Sequence, residues 1–514
     1  MKKKLALLLS LLLLLTGCWQ EDTAVEDSAL TPMETEAPAE KLSLPQTFAL
    51  PYLPGQTFDP ITCPDGIQQT VGALLYEGLF QLDQQFVAQP RLCARYSYHA
   101  ATLTYTLALR EAVAFSDGSE LTATDVVATL RRAMVSTRYA ARLSNIAAVD
   151  GAGHTVTILL KTDSTALPAL LDIPIIKAGT EQATVPPGTG AYLCVTDSEG
   201  LHLLANSGWW GKGTAPVARI ELVAAKDADA LLYRFTSHEV QLLAADLTGT
   251  TPISTTGNID FTNVDTTVLQ YIGCNTRKPL LADAALRRAL QLGVNRRVAV
   301  RAFLSGHGQP AQFPISPVSP LYPAQLETPY SAQRFEEAIR AAGLDTGTTR
   351  RLTLLVNSEN PFKVAVAKSI AASLSVCDLR IEVREKPWED YLRALHAGDF
   401  DLYYGEVRLT ADWSLQRLLG TGGSLNYGGY ADPTMDQMLA EWNAASDRKA
   451  GALRLGRYLQ QQQPILPVCF KSACVLTQES VVEHLSPTAA DPFFGLENWT
   501  IHLAGTETLS PVTP

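Results

Sequence analysis

The clearest pattern of hydrophobic and polar positions lies in residues 71–134. Residues 102–110 alternate strictly between apolar and polar side chains, and this period of two predicts a half-buried β-strand. Its apolar face consists of Leu103, Tyr105, Leu107 and Leu109. Residues 71–80 instead place their apolar side chains with the period of a helix, and Gly78 suits the end of that helix.

A turn and a second helix follow this strand. Residues 116–118 read Ser-Asp-Gly, which is typical of a turn. Thr122 and Asp125 then form a capping box, in which Thr122 can accept a backbone N–H while Asp125 reaches back to the start of the helix. We therefore predict a helix that ends near Met134.

Segments of helical and of strand periodicity alternate further along the chain. Such alternation predicts an α/β architecture, in which helices cover a sheet. The predicted helices cover residues 335–344 and 363–374, and the predicted strands cover residues 351–356, 380–383 and 399–402.

The N-terminus carries a separate hydrophobic signal. Lys2 to Lys4 precede an apolar run over residues 5–15, the arrangement of a secretory signal peptide. This run is too short to span a bilayer, which takes roughly 20 apolar residues. Residues 15–18, Leu-Thr-Gly-Cys, resemble the lipobox of bacterial lipoproteins, so we predict a signal peptide over residues 1–17 and a lipid on Cys18. An ordinary secretory signal with an incidental Cys18 is the alternative.

Residues 18–41 are rich in Glu, Asp, Thr, Ala and Pro. A segment of this composition cannot bury enough apolar surface to offset the entropy of ordering it, so we expect a flexible acidic tether. Folded structure should begin near Leu42.

Composition narrows the class of the remaining chain. At 514 residues it exceeds one compact core, so two or three lobes are expected. A net charge of −11 argues against a nucleic-acid partner, which requires clustered Lys and Arg. Membrane contact is therefore expected through the N-terminal lipid only. Of the 8 cysteines, those other than Cys18 are odd in number and include no C-x-x-C pair, which does not indicate a disulfide framework or a zinc site. A bridge between Cys469 and Cys474 remains open.

Motifs of catalysis and cofactor binding are incomplete. Residues 422–426 lack the closing glycine of a nucleophile elbow. Residues 208–213 have the wrong spacing for a phosphate-binding loop, and residues 188–190 lack the third glycine of a dinucleotide fingerprint. The 8 histidines are scattered, with none at helical i, i+4 spacing to another. We therefore predict no catalytic residues, no bound metal and no cofactor.

A set of short motifs is spread over most of the chain. Besides the capped helix, they are Tyr76-Glu-Gly-Leu79, Phe115-Ser-Asp-Gly118, Gly188-Thr-Gly-Ala-Tyr192, Asn206-Ser-Gly-Trp-Trp210 and the helix 286–296, which carries Asn295. Together they resemble the family 5 extracellular solute-binding proteins, the peptide- and nickel-binding components of ABC importers, which carry aspartate in place of Asn295. The resemblance covers nearly all of residues 42–499.

The resemblance implies an α/β, two-lobed periplasmic-binding-protein type II-like fold with an extra inserted subdomain. The first lobe would be discontinuous, and two connections between the lobes would act as a hinge that closes over a ligand. The implied segments are 42–62, 165–259 and 491–514 for lobe I, 63–164 for the inserted subdomain and 260–490 for lobe II.

Residues 403–413 follow the last predicted strand, and side chains beyond the carboxyl end of a strand are well placed for a ligand crevice. The resemblance implies that an aspartate here pairs with the α-ammonium of a ligand. Asp412 is the match, although the family's Asp-x-x-x-Pro context is absent, and the alternative is that it caps a helix beginning at Trp413. Arg408 suits a ligand carboxylate through its bidentate fork, and Glu406 alternates with it. The alternative for both is a structural salt bridge.

Aromatic and amide side chains complete the predicted site. The apolar walls are assigned to Trp413, Tyr404 and Trp388, with burial in the core as the alternative. Residues 420–430 form a glycine-dense loop in the position where relatives carry a ligand-facing loop. Asn426 and Tyr427 are its candidates, and simple turn chemistry is the alternative.

The predicted function is that of a monomeric, lipid-anchored solute-binding protein on the extracytoplasmic face of a bacterial membrane. It would capture an oligopeptide or a similar small solute by hinge closure and deliver it to an ABC permease. Nickel chelates, haem and oligosaccharides are alternative ligands for the same fold, and a sensory lipoprotein is an alternative role. A surface hydrolase has the least support, because no nucleophile with a base is recognisable.

Overall fold

The structure of the protein, a computed structural model, describes residues 44–64, 66–198, 200–211, 213–251 and 257–504. The predicted signal peptide, Cys18 and the acidic tether lie outside these residues and stay predictions. Within the described ranges, no helix combines the length and the hydropathy that crossing a membrane requires.

Strands are labelled β1 to β19 in chain order. They are β1 (Phe48–Tyr52), β2 (Phe80–Leu82), β3 (Ala88–Pro90), β4 (Cys93–His99), β5 (Thr104–Leu109), β6 (Ile146–Ala152), β7 (Thr155–Leu160), β8 (Tyr192–Asp197), β9 (Gly200–Ala205), β10 (Arg219–Ala224), β11 (Leu242–Ala245), β12 (Ile259–Cys274), β13 (Gly308–Pro310), β14 (Arg350–Asn357), β15 (Leu379–Lys386), β16 (Leu402–Arg408), β17 (Ile465–Gln478), β18 (Val482–Glu483) and β19 (Thr500–Ile501).

Helices are labelled α1 to α12 in the same way. They are α1 (Ile67–Leu75), α2 (Ala123–Val135), α3 (Ala228–Thr236), α4 (Pro279–Ala282), α5 (Ala284–Gly293), α6 (Arg296–Val298), α7 (Ala332–Ala341), α8 (Pro361–Leu374), α9 (Trp388–Ala397), α10 (Gln416–Leu419), α11 (Pro433–Ala444) and α12 (Arg448–Gln462).

The largest sheet has seven strands in the order β11-β17-β12-β16-β14-β15, with β13 paired to β17. β14 is parallel to β15 and β16, and the other pairs are antiparallel. Both faces of this sheet are buried. Leu354 and Val356 belong to an apolar cluster with α5, α7 and α8, whereas Leu355 belongs to a cluster with α9, α11 and α12. The α/β architecture predicted from the sequence is therefore confirmed.

Two four-stranded sheets come from the N-terminal half of the chain. One has the order β1-β10-β9-β8, and the other has the order β4-β5-β7-β6 and shares an apolar cluster with α2. The strand predicted over residues 102–110 is confirmed as β5, although Leu103 precedes it with a φ of 52°. The capping box of α2 is also confirmed, because the N–H of Thr122 donates to Oδ2 of Asp125 over 2.9 Å.

The helix predicted over residues 71–80 ends earlier than expected, at Leu75. Gly78 lies in an extended segment, where a Cβ atom would come within 2.8 Å of the backbone of Asp172. This glycine therefore permits the close approach of two chain segments and does not end the helix. Periodicity cannot reveal such a long-range contact.

Two long strands connect the apolar cluster of the first four-stranded sheet to those of the large sheet. Val264 of β12 and Val475 of β17 belong to the cluster of the first four-stranded sheet. Ile272 of β12 and Leu466 of β17 belong to a cluster of the large sheet. β11, which the predicted boundaries place in lobe I, pairs with β17 in the large sheet. The lobe boundaries stay a prediction, with β12 and β17 as the candidate hinge.

Neither Cys469 nor Cys474 forms a disulfide bond. Both are buried, and the Sγ atom of Cys474 instead donates to Oδ1 of Asn263 over 3.1 Å. The bridge that the sequence left open is therefore not formed.

The carboxylate of Glu77 joins the predicted inserted subdomain (residues 63–164), here called the inserted segment, to loops beside the first four-stranded sheet. Its side chain is buried, and its hydrogen-bond donors are Arg91 (2.8 Å), Thr189 (3.0 Å), Trp209 (3.3 Å) and Trp210 (2.6 Å). A buried carboxylate is costly unless donors satisfy it. The motifs at residues 76–79 and 206–210 are thus two halves of one polar cluster.

Replacing Glu77 tests this cluster. Glu77→Gln should lower the free energy of unfolding by about 3 kcal/mol, because the amide leaves the Arg91 charge uncompensated and offers one acceptor oxygen in place of two. Denaturation with urea at neutral pH measures the loss. Glu120→Gln is the matched control, since Glu120 is exposed and pairs with His154 over 3.1 Å, and such pairs contribute at most about 1 kcal/mol. Equal losses in both variants would contradict the role of Glu77.

Asp491 lies beside the Glu77 cluster. Its Oδ2 accepts a hydrogen bond from Gln81 over 2.7 Å, and its Oδ1 accepts the backbone N–H of Phe493 over 2.9 Å. Burial raises the pKa of Asp491 from 3.8 to about 6. The negative charge of Glu77 acts in the same direction, whereas the two hydrogen bonds and Arg91 oppose the shift. The folded protein therefore binds a proton here more readily than the unfolded chain does.

A raised pKa fixes the sign of the pH dependence. Protonated Asp491 contributes stability that is fully present below pH 3.8 and is lost as the pH rises through about 6. Asp491→Asn cannot titrate, so the difference in unfolding free energy between variant and wild type should shift toward the variant by up to about 3 kcal/mol between about pH 4 and pH 7. Urea titrations across this range measure the difference. A constant difference would show that the carboxyl is not perturbed.

Candidate functional site

A large cleft of about 1910 Å³ lies between the inserted segment and the large sheet. Its lining comes from within residues 58–86 and 136–174 on one side and 263–267 and 407–425 on the other, with contributions from Ala244, Val318, Asn443 and residues 487–492. Ordinary small-molecule pockets measure about 300–1,000 Å³. This cleft therefore has room for a solute larger than a single amino acid.

Phe86 and Thr165 contact residues 413–445 across the cleft. Phe86, on the turn between β2 and β3, is buried and packs edge-on against Trp413, with ring centroids 5.4 Å apart. The backbone N–H of Thr165 donates to the carbonyl of Asn443 over 3.0 Å, and its hydroxyl donates to the carbonyl of Ala445 over 2.8 Å. The two walls touch in this conformation.

An ion pair lies on the cleft wall. Arg142 pairs with Asp172, and burial lowers the pKa of Arg142 to about 10, while Tyr139 and Asp412 oppose the shift. At this pKa the guanidinium stays charged at neutral pH. The cation is therefore already matched by carboxylates of the protein.

Arg408 is a cation of the cleft wall that the protein leaves unmatched. It ends β16 and lines the cleft, and no described residue forms a hydrogen bond or an ion pair with its side chain. Two other lining cations donate to neutral oxygens, Arg417 to Oγ of Ser424 over 3.1 Å and Lys161 to the carbonyl of Ser144 over 2.6 Å. A guanidinium that lines a cleft without a protein partner is suited to binding a ligand carboxylate.

Asp412, like Arg408, lines the cleft, and its predicted contact with a ligand ammonium stays a prediction. Its Oδ1 accepts the backbone N–H of Ser414 over 3.1 Å and the hydroxyl of Thr410. These contacts stabilise a tight turn, a role similar to the predicted alternative in which Asp412 caps a helix. The helix that follows begins at Gln416 and not directly after the aspartate.

The other predicted residues lie outside the cleft lining. Tyr404 and Glu406 do so because β16 reaches the cleft only from Val407 onward. Tyr404 is buried and donates its hydroxyl to Oε1 of Gln270 over 2.8 Å. Glu406 pairs with Lys363 over 3.1 Å. The core and salt-bridge alternatives account for these two side chains.

The tryptophan side chains that were predicted to form the apolar walls of the site have other roles in this structure. Trp413 is 1% exposed and packs between Phe86 and Phe470, so it belongs to the core. Trp388 lies at the start of α9, is 46% exposed and stacks on Tyr391. Neither side chain lines the cleft in this conformation.

Asn426 and Tyr427 stabilise the glycine-dense loop. The Asn426 amide donates to the carbonyls of Gly420 over 3.0 Å and of Tyr430 over 2.7 Å, and its oxygen accepts the N–H of Tyr430 over 3.1 Å. Tyr427 packs edge-on against Tyr403. Turn chemistry, the predicted alternative, accounts for Asn426.

Asp265 lines the cleft and was missed by the sequence analysis. It lies on β12, its carboxylate hydrogen-bonds with Gln309, and burial raises its pKa. No described residue forms an ion pair with it. The only sequence signal is a charged side chain inside a long strand, at the register shift between Asp265 and Leu269, and residue alternation does not mark such a shift.

Residues 87–424 match the family model of the bacterial extracellular solute-binding proteins, family 5. Because the match spans more than half of the chain, the protein belongs to this family. Its members are extracytoplasmic solute-binding proteins that work with ABC permeases and are not enzymes. The family resemblance noted in the sequence is confirmed.

Relatives and solved structures agree with this family. The glutathione-binding protein GsiB of Escherichia coli (strain K12) is 25% identical over 447 residues, which cover 80% of this chain and 86% of GsiB. HbpA2 from Haemophilus parasuis has a TM-score of 0.73 at 20% identity, covering 89% of this chain and 100% of that one. The unliganded open form of MppA, a periplasmic murein tripeptide binding protein, has a TM-score of 0.74 at 18% identity, covering 89% and 98%. The fold is therefore the type II periplasmic-binding-protein fold that the sequence predicted.

Proposed function

We propose that this protein is a lipid-anchored receptor that captures a short peptide or a similar small amphoteric solute and delivers it to an ABC permease. The observation that carries the proposal is the unpaired Arg408 guanidinium on the wall of an interlobe cleft of about 1910 Å³. A guanidinium can bind a ligand carboxylate through two parallel hydrogen bonds.

Short peptides are the ligand class that the cleft favours. Peptides carry both a carboxylate and an ammonium, and the lining offers charges of both signs, with Arg408 among its arginines and Asp412 and Asp265 among its carboxylates. The relatives point to the same class, since GsiB is a glutathione-binding protein and MppA a murein tripeptide binding protein.

Capture would use closure of the two lobes. The strands β12 and β17 run from one apolar cluster to the next, and a bend there would move the large sheet relative to the inserted segment. A ligand that touches both walls binds the closed form better, so it shifts the population toward that form. The permease would then distinguish loaded from empty receptor by its shape.

Calorimetry with pools of di- to pentapeptides tests capture. Binding of at least one pool is expected, and Arg408→Gln should weaken it about 10- to 100-fold, because a charge-assisted hydrogen bond contributes about 1.5–3 kcal/mol. Arg393→Gln is the matched control, since Arg393 lies outside the cleft and its side chain is 73% exposed. The absence of binding to every pool would rule out peptides as ligands.

The lipid anchor is tested separately, at Cys18. Cys18→Ala should release the protein from the membrane fraction and impair solute uptake, because the receptor would no longer be held at high effective concentration near its permease. The affinity of the purified variant should equal that of the wild type. Fractionation, uptake and calorimetry measure these three quantities, and a variant that stays in the membrane fraction would contradict the anchor.

A further inference from the structure

The turn between β2 and β3 carries one aromatic side chain across the cleft. Phe80 of β2 and Ala88 of β3 pack in the apolar cluster of the inserted segment, whereas Phe86 belongs to a cluster of the large sheet. The other described members of that cluster lie between Leu269 and Phe470. Phe86 therefore belongs by sequence to the inserted segment and by packing to the large sheet.

The turn holds Phe86 in a backbone conformation that is unfavourable for a bulky side chain. Its φ is 62°, which lies in the left-handed region. The N–H of Phe86 donates to the carbonyl of Asp83 over 3.0 Å. The Oδ1 atom of Asp83 accepts the N–H groups of Gln85 and Val87, each over 2.9 Å. Because these hydrogen bonds lie within the turn, the turn can present the ring whether or not the lobes touch.

Both strands of this hairpin are fixed at their base. On β2, the side chain of Gln81 donates to Oδ2 of Asp491 over 2.7 Å. Directly after β3, Arg91 donates to the buried carboxylate of Glu77 over 2.8 Å. The hairpin is therefore a well-anchored arm of the inserted segment, and a movement of this segment carries Phe86 with it.

The surface that receives Phe86 is built around Trp413. The rings of Phe86 and Trp413 pack edge-on at 5.4 Å, and Trp413 packs in the same way against Phe470 at 5.7 Å. The Nε1–H of Trp442 donates to the carbonyl of Trp413 over 3.2 Å, which connects this surface to the end of α11. Thr165 donates its two hydrogen bonds at the same end of α11. The contacts across the cleft therefore converge on one local surface.

Trp413 shares the unusual backbone conformation of Phe86, with a φ of 56°. Two bulky aromatic residues in the left-handed region thus meet across the cleft. Such conformations persist only where the surrounding structure stabilises them, and they concentrate at binding and switching sites. The pair is therefore a candidate for a functional contact between the lobes.

We propose that Phe86 is a latch that stabilises the closed arrangement of the lobes. When the lobes separate, its ring leaves the apolar cluster and is exposed to water. Burial of a phenyl ring favours the closed arrangement about 10- to 100-fold. The contact consists of protein side chains, so it adds to the stabilisation that a solute contributes. This proposal rests on the lobe closure of the proposed function and gives the inserted segment a part in it.

Phe86→Gly tests the latch, because glycine readily adopts a φ of this sign and the turn can fold without the ring. Small-angle X-ray scattering of the purified protein, dialysed to remove bound solute, measures the separation of the lobes. The radius of gyration should be larger for Phe86→Gly than for the wild type, since the closed arrangement no longer buries the ring. Phe86→Leu keeps an apolar side chain in the cluster and should restore most of the wild-type value.

Leu103→Gly is the matched control in the same segment. Leu103 also combines an apolar side chain with a positive φ, 52°, but it packs against the cluster of the inserted segment and not across the cleft. Its scattering should equal that of the wild type, with folding of both variants checked by circular dichroism. If Phe86→Gly scatters like the wild type, or if Leu103→Gly opens the protein as much, the latch is wrong.

Solute exchange provides a second measurement. For a peptide pool that binds, Phe86→Gly should lower the affinity about 10- to 100-fold, mainly through faster dissociation, because the closed form is less populated. Surface plasmon resonance with that pool measures the dissociation rate, and an unchanged rate would overturn the latch.

The outcomes also separate the latch from the proposed function. If the scattering changes as expected and no peptide pool binds, the latch stands and the proposed peptide receptor is wrong. If pools bind and the scattering does not change, the receptor role stands and the latch is wrong.

Discussion

The burial of the Glu77 carboxylate is the interaction on which the arrangement of the inserted segment depends. Four hydrogen bonds reach it from the inserted segment and from loops beside the first four-stranded sheet. The guanidinium groups of Arg91 and Arg110 lie 5.0 Å and 4.4 Å from the ring of Trp210, which itself donates to Glu77. Cations over an indole and a carboxylate at its N–H reinforce one another. The inserted segment and the first sheet are therefore expected to move as one body.

If the lobes move as predicted, a rigid first body would confine their motion to the candidate hinge strands β12 and β17. The pairing of these strands is interrupted by register shifts, one of them between Asp265 and Leu269. A local irregularity of this kind bends a strand and weakens its pairing. Asp265 thus lies where the candidate hinge is least regular, and a ligand bound there would act directly on the segment that bends.

Sequence patterns predicted the elements whose causes are local. The strand β5 follows from strict alternation, and the start of α2 follows from the side chains of Thr122 and Asp125. The end of α1 was not predictable in this way, because Gly78 packs closely against the backbone of Asp172, which is far away in the sequence. The type II fold followed from family motifs, of which those at residues 76–79 and 206–210 meet in the Glu77 cluster.

The candidate site was less predictable than the fold. Residues 403–413 were predicted to follow a strand over residues 399–402, whereas the strand begins at Leu402 and contains residues 403–408 itself. Only the end of β16 reaches the cleft, so Arg408 and Asp412 line it while Tyr404 and Trp413 belong to the core. Which face a residue takes depends on the helices that cover the sheet, and these lie far away in sequence. Asp265 lies in the middle of a strand and has no local signal.

The distribution of charge decides what the cleft can select. The protein neutralises Arg142 with Asp172 and holds Asp412 in a turn close to Arg142 and Arg448. These groups contribute a fixed field, but a ligand gains little by displacing partners that are already in place. Asp265 and Arg408 have no ion-pair partner among the described residues, so under the proposed closure they would lose water and would be compensated by a ligand of matching charge. A neutral solute would leave both of them buried and unpaired, so closure over it would be unfavourable.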